Sequence, residues 1–374
     1  QFAATGHIFQ ENDTSAISNT YRVQLSKVHD FAWYASKKFK VKTNKIQLPS
    51  GREVAIQTYV NNEDIQDEVL KYTAQTIEYM SKNLGEYPYD VCTVVQGNEG
   101  LGNGMEYPTI CNIQGGATLK VEVVHEVIHN WWYGILANNE RKEPLMDESL
   151  TSYYETRIVN EFTSDSIDIP FSKYLGLDRL PKDYLKKYII LNQYRTNLSQ
   201  KMNLPAVEYS TINYYAMMYA KGDIDFQLLE KYLGRDNFDR TLQTFYKKYQ
   251  FQHTSLNDLK IHFAQNASRE TDWFFEEVLG KNALADIQVK KVEQENGILK
   301  ITLNNRGNLK TATEVSLVDK DLNVLSSYLT DAFTGEKTIE IQDSVDAYAV
   351  LVDPQWLGME QNRKNNFYKI FFYV

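Results

Sequence analysis

The chain has 374 residues, and Asp plus Glu outnumber Lys plus Arg by 49 to 40. That length allows two or three domains around a sizeable core. A formal net charge of −9 offers no basic footprint for nucleic acid or an anionic membrane surface.

The chain starts at Gln1, with neither an initiator Met nor a signal peptide, and reads as a processed or trimmed product whose address has been removed. Residues 1 to 60 suit strands and loops, with extended runs at 21–26 and 52–60 and a turn at Pro49-Ser50-Gly51. His7 and His29 have no partner at ligand spacing and read as structural or surface residues. Over 64–84, Ile65, Val69, Tyr72, Ile77, Met80 and Leu84 recur at helical spacing until Gly85 stops the helix. A strand is expected at 91–96, then a flexible loop with glycines at 97, 100, 102 and 104, then one strand over 105–113. The loop is no phosphate cradle, since neither a helix nor Lys-Ser/Thr follows it. The two cysteines, Cys92 and Cys111, fall in neighbouring strand-like runs, which leaves room for one bridge but no disulfide framework.

An apolar helix is expected over 119–136, carrying His125-Glu126-Val127-Ile128-His129. His125 and His129, at i and i+4, project from one helix face, and Glu126 lies beside that face. Two neutral imidazoles make two-thirds of a three-ligand zinc site, and a neighbouring carboxylate can take a proton from water there. A catalytic zinc also needs a third protein ligand and an open position. Eighteen residues after His129, a second helix opening beyond Pro144 would turn Glu148 back toward the histidines. Glu122 reads as a surface residue or a support for the site, and Trp131, Trp132 and Tyr133 as packing beneath it. Asp147 either orients a histidine or caps the helix, and Glu155 reads as helical surface. Residues 151–283 look mostly helical, broken at Pro170, Pro181 and Pro205, with His253 and His262 structural. From Ile287 the pattern changes to short apolar or alternating runs at 298–303, 313–318, 324–328, 338–341 and 347–352, the signature of a small antiparallel sandwich.

H-E-x-x-H, eighteen residues and Glu resembles the M1 metallopeptidases, the gluzincin aminopeptidases. Two further segments agree. Asn103-Gly104-Met105-Glu106-Tyr107 is similar to the family's substrate-anchoring G-x-M-E-N, with Asn103 and Tyr107 as departures. Tyr219-Ala220-Lys221-Gly222 is similar to its Y-x-K-G. Ser149 stands where the family usually has glycine.

The resemblance implies an α+β protein: a thermolysin-like mixed α/β and α-helical catalytic domain over 61–285. Flanking it would be a remnant of the amino-terminal β domain over 1–60 and a carboxy-terminal β-sandwich over 286–374. It implies one Zn²⁺ held by His125, His129 and Glu148, with Glu126 as general base and Tyr219 as oxyanion donor. Glu106 would hold the substrate's α-ammonium, with Gly104, Met105 and Tyr214 also on the substrate's path. The implied partner is a peptide, with no nucleic acid and no transmembrane helix, and similar short bacterial proteins favour export over the cytoplasm. Three other readings compete: a zinc endopeptidase with an open cleft, an inactive binding module, and a structural metal site. Substrate choice, any turnover and a fourth ligand separate them in turn.

Overall fold

Four short strands open the chain: β1 (Phe2–Ala4), β2 (His7–Glu11), β3 (Thr20–Gln24) and β4 (Trp33–Ala35). They pair antiparallel, β1 with β4 and β2 with β3. The computed structural model describes residues 1–11, 19–97, 104–116, 118–162, 184–295, 297–342 and 347–370. Gly100, Gly102, Asn103, Pro170 and Pro181, used above, lie outside the described residues. Contacts divide the chain into two compact units, Gln1–Lys182 with Asp239–Leu259, and Asp183–Phe238 with Lys260–Val374.

The first unit is built on a five-stranded sheet. β5 (Lys40–Gln47) and β6 (Glu53–Val60) form a hairpin whose turn places Gly51 at a φ of +87°, which glycine adopts at no steric cost. Helix α1 (Gln66–Asn83) then carries the chain over to β7 (Val91–Gln96), parallel to β6. Asn62 opens this segment by accepting the Asp64 N–H, and Val69, Leu70, Thr73, Ile77 and Met80 bury one face of α1. β8 (Met105–Tyr107) and β9 (Ile110–Ile113) complete the order β5-β6-β7-β9-β8. β5 escapes a sequence reading because it is an edge strand: seven of its eight residues are exposed, and Lys40, Lys42 and Lys45 put charge on both of its faces.

Two expectations need correction. The single strand over 105–113 is a hairpin, in which Glu106 pairs with Cys111. Pro108 cannot donate to a ladder, and Thr109 takes a φ of 62° because its N–H is bonded to Asn130 Oδ1 at 2.9 Å. The helix over 119–136 ends early. α2 runs over Leu119–Ile128, followed by a wide turn over Asn130–Ile135 broken at Trp132 (ψ 107°) and Tyr133 (φ 102°). Anchors outside the helix hold the break: Trp131 donates to the Gly85 carbonyl, the Tyr133 hydroxyl to Asp30, and the Tyr133 carbonyl meets His29 Nε2 at 2.8 Å. Helix α3 (Leu150–Phe162) packs against α2, and α2 against α1. Cys92 and Cys111 are free and buried in β7 and β9.

In the second unit, helix α4 (Tyr184–Arg195), a wide helical turn over Tyr215–Lys221 and helix α5 (Gly222–Leu233) precede seven strands. β10 (Ile287–Glu295), β11 (Ile298–Asn305) and β14 (Gly335–Gln342) form one antiparallel sheet. β12 (Glu314–Val318), β13 (Val324–Leu329), β15 (Ala349–Val352) and β16 (Phe367–Lys369) form the other, in the order β13-β12-β15-β16. Both contribute to one core, with Ile287, Leu299, Ile301, Val315, Leu317, Ile339 and Val350 buried together. Among the described residues, no helix is long and apolar enough to cross a membrane.

Ile301 is fully buried at the centre of this core. Ile301→Ala should destabilise the protein by roughly 2–5 kcal/mol, read as a lower urea midpoint. An unchanged midpoint would mean that these sheets do not close on one another.

Candidate active site

Val123, Val124, Val127 and Ile128 make α2 a buried apolar helix, so its polar side chains are tolerable only where they find partners. The i, i+4 spacing sets the two imidazoles edge to face, with centroids 4.8 Å apart and Nε2 atoms 3.1 Å apart. Glu148 Oε2 completes a triangle, 3.2 Å from His125 Nε2 and 3.5 Å from His129 Nε2. Glu148 arrives on a wide turn over Leu145–Ser149 that leads into α3, the kind of helical irregularity that recurs at functional sites.

The far side of each ring is tied down. His125 Nδ1 bonds Glu155 Oε2 at 2.8 Å. Asp147 Oδ1 approaches His129 Nδ1 to 2.6 Å as a close ion-pair contact rather than an aligned hydrogen bond, with the Trp132 carbonyl at 3.2 Å and Thr151 Oγ1 at 3.3 Å nearby. With acceptors at both Nδ1 atoms, those positions carry the protons of the neutral rings, and both Nε2 lone pairs turn toward Glu148. Glu155 is therefore a supporting residue and not the surface residue expected. Its signal was available: it lies seven residues after Glu148, two turns along the same helix. The open question over Asp147 resolves toward the histidine.

Burial would lower the pKa of His125, but hydrogen bonds to Glu148 and Glu155 outweigh it and raise it to about 10. Burial likewise opposes the charge on His129, yet Asp147 and Glu106 push it well above its ordinary value. Glu148 is held far below the carboxylate range: its burial is overcome by bonds to His125 and His129. Carboxylates that retain protons on two buried imidazoles make a field that equally favours a metal cation.

Glu126 sits one residue along α2, buried, with Oε2 lacking a hydrogen-bond partner among the described residues. Its pKa is pushed up to about 8 by burial, against the pull of His125. Glu106, half-buried on β8, has a carboxylate oxygen within 4.8 Å of ligand atoms of His129 and Asp147. Desolvation raises its pKa also, partly countered by His129. Gly104 and Met105 lead into the same strand. Glu122 accepts the Gln114 and Gly115 N–H groups at 2.7 and 3.0 Å, tying down the loop before α2. His253 bonds the Ala137 carbonyl and is structural, as expected.

The structure thus brings Gly104, Glu106, His125, Glu126, His129 and Glu148 together in the first unit. Tyr214 and Tyr219 belong to the second, with ring centroids 6.0 Å apart, and Tyr219 stacks on Tyr215 at 5.3 Å within the turn over Tyr215–Lys221. Lys221 and Asp225, buried and 2.5 Å apart, pin the end of that turn to α5.

Residues 70–278 match the Peptidase family M1 domain. Aminopeptidase 2 of Candida albicans is 24% identical over 302 residues, 74% of this chain and 31% of that protein. The crystal structure of Legionella pneumophila aminopeptidase A in complex with aspartic acid superposes with a TM-score of 0.73 at 13% identity, covering 94% of this chain and 42% of that one. The likeness to that structure is one of fold. This chain spans less than half the length of either relative.

Glu155 hydrogen-bonds the outer nitrogen of His125 and is not one of the three clustered donors, so Glu155→Gln tests whether ring orientation matters for metal affinity. Competition between the protein and a chromophoric chelator should show zinc affinity lower by about 10–100-fold. Unchanged affinity would reduce Glu155 to packing.

Proposed function

The chain belongs to peptidase family M1, and from that premise we propose that it hydrolyses peptide bonds with zinc, removing residues from the amino terminus. The observation that carries the reading is the convergence of two imidazole nitrogens and one carboxylate oxygen beside a buried carboxylate, Glu126, whose Oε2 has no hydrogen-bond partner among the described residues. Their separations of 3.1, 3.2 and 3.5 Å bracket the roughly 3.3 Å edge of a tetrahedron whose bonds are about 2.0–2.1 Å long. The donor set is the one zinc takes in catalytic sites, with three protein ligands and a position left for substrate or water. When bound, the ion supplies Lewis-acid polarisation of the scissile carbonyl and lowers the pKa of water toward about 7.

The chain's own residues do the rest. Glu126 accepts the proton of the attacking water and returns it to the leaving amine. Glu106 accepts charge-assisted hydrogen bonds from the substrate's α-ammonium, and this sets how far the cleaved bond lies from the amino terminus. Tyr219 donates its phenolic hydrogen to the developing oxyanion, with Tyr214 beside it. Gly104 and Met105 line the path of the substrate backbone. In this reading the sheet of the first unit with α2 and α3 is the thermolysin-like part and the paired sheets of the second unit are the β-sandwich; the boundary expected at residue 60 moves back to before Lys40, because β5 and β6 are hydrogen-bonded into the sheet that holds β7, and β1 to β4 are assigned to the amino-terminal β domain.

The test is zinc content together with a matched substrate pair, a free-amine aminoacyl-arylamide and its N-acetylated form. One zinc per chain and cleavage of the free amine alone are expected, with Glu106→Ala erasing the preference. Glu126→Gln should lower kcat by about 10²–10⁴ while zinc is retained. Cleavage of the blocked substrate would assign an endopeptidase, and a chain that takes up no zinc would sink the reading.

A further inference from the structure

We infer that His29 and Asp30 are positioning residues for His129: they clamp Tyr133 in a strained conformation in which the preceding peptide turns the Trp132 carbonyl onto the His129 ring. The plane of the peptide between Trp132 and Tyr133 is set by the two torsions that flank it. Both have left the helix, with ψ 107° at Trp132 and φ 102° at Tyr133. The outer torsions, φ −94° at Trp132 and ψ −60° at Tyr133, stay near the helical range, so the break amounts to one peptide plane reversed. In an α-helix the Trp132 carbonyl would point forward to the Leu136 N–H. Here Leu136 bonds the Trp131 carbonyl instead, at 3.0 Å, and the Trp132 oxygen lies 3.2 Å from His129 Nδ1. A carbonyl only accepts, so this contact puts the proton of the neutral ring on Nδ1 and leaves the Nε2 lone pair for a metal. Asp147 is closer to Nδ1 but out of line with it, and the Thr151 hydroxyl is free to rotate. The carbonyl is the partner whose direction the backbone itself fixes.

A bulky residue at positive φ persists only where its surroundings over-determine it. Two motions would relieve Tyr133. Turning the peptide forward again would take the Trp132 carbonyl from His129 toward an amide that Trp131 already engages. Swinging residue 133 about its own Cα is the other route, and the clamp closes it by gripping the residue at both ends. The Tyr133 hydroxyl donates to Asp30 Oδ2 at 2.7 Å, and its carbonyl accepts from His29 Nε2 at 2.8 Å. The His29 and Tyr133 rings also meet edge to face, with centroids 4.8 Å apart. The segment that carries the clamp is held in turn: the Tyr89 hydroxyl donates to the Lys27 carbonyl at 2.9 Å, and the Thr5 N–H to the Ala32 carbonyl at 3.0 Å. Two residues more than 100 positions upstream thus act, through one reversed peptide, on the orientation of an imidazole.

The consequence for zinc rests on the reading of His129 as a ligand; the clamp and the carbonyl contact do not, and they are tested apart. Competition between the full chain and a chromophoric chelator should show zinc held about tenfold more weakly after His29→Ala or Asp30→Ala, and up to about 100-fold after both. Tyr133→Phe, which removes only the bond to Asp30, should weaken zinc binding in the same direction. His29→Gln, whose amide donates from nearly the same position as Nε2, should stay within about threefold of the unaltered chain. Val54→Ala, a change in the buried core of β6, should lower the melting midpoint without moving zinc affinity. Clamp variants that melt earlier yet keep full zinc affinity would make the clamp merely structural and overturn the inference. On the metal-free chain, the His129 Nδ1 proton, assigned by its loss in His129→Gln, should give a slowly exchanging proton resonance that disappears when both clamp residues are replaced. Its persistence there, or its absence from the unaltered chain, would overturn the positioning role. A chain that takes up no zinc would remove the peptidase reading, and the proton resonance would still decide the clamp.

Discussion

Three electron-pair donors held 3.1–3.5 Å apart in a buried setting repel one another unless a cation lies among them. Keeping His125, His129 and Glu148 in that arrangement is the constraint on which the surrounding structure depends. It explains why α2 is apolar beyond its ligands, since only a fully packed helix fixes two imidazoles without solvent to disorder them. It also gives meaning to the wide turn before α3. Asp147 and Glu148 are consecutive, so their side chains diverge by about 100°. They reach different edges of one ring, Asp147 at Nδ1 and Glu148 near Nε2.

Charge follows from the same constraint. Glu106, Glu126, Asp147, Glu148 and Glu155 surround two imidazoles, and burial by itself pushes carboxylates toward the neutral form. The balance is restored by whatever positive charge enters, whether protons on the histidines or a metal ion. The same excess of carboxylate suits a substrate that brings an ammonium group. One electrostatic arrangement thus serves metal retention and, in the proposed reaction, amine recognition.

The meeting of His125 and His129 was legible because helical spacing converts sequence into direction: residues four apart share a face of any helix that contains them. Glu155 was read as helical surface because it lies beyond the H-E-x-x-H and Glu148 pattern, although two further helical turns bring it to His125. The hairpin within 105–113 was not legible, since the reversal at Thr109 is held by Asn130, 21 residues away. The end of α2 was overrun because the aromatic run 131–133 stays apolar while its partners, Gly85, Asp30 and His29, lie far back in the chain. Edge strands β5 and β10 were missed for one reason: an edge needs only one buried face, and their Lys-rich stretches read as loop.

Helix α2 also divides its labour by face. His125, and His129 just past the helix end, turn toward Glu148, whereas Glu122 and Glu126, continued by Asn130 at the start of the wide turn, follow one another at four-residue steps along another stripe. Each member of that stripe meets the segment that contains the β8–β9 hairpin. Glu122 bonds the backbone at Gln114 and Gly115, Glu126 fills the space left by Gly104, and Asn130 holds the turn at Thr109. The hairpin that carries Glu106 is therefore registered against the helix that carries Glu126 at three successive turns. The span between Glu106 and Glu126, the proposed amine anchor and base, is then fixed by packed contacts along that stripe rather than by a loop. An enzyme that measures from the end of its substrate needs that span to be rigid, because an error of one residue step, about 3.3 Å along an extended chain, would bring the wrong bond to the base.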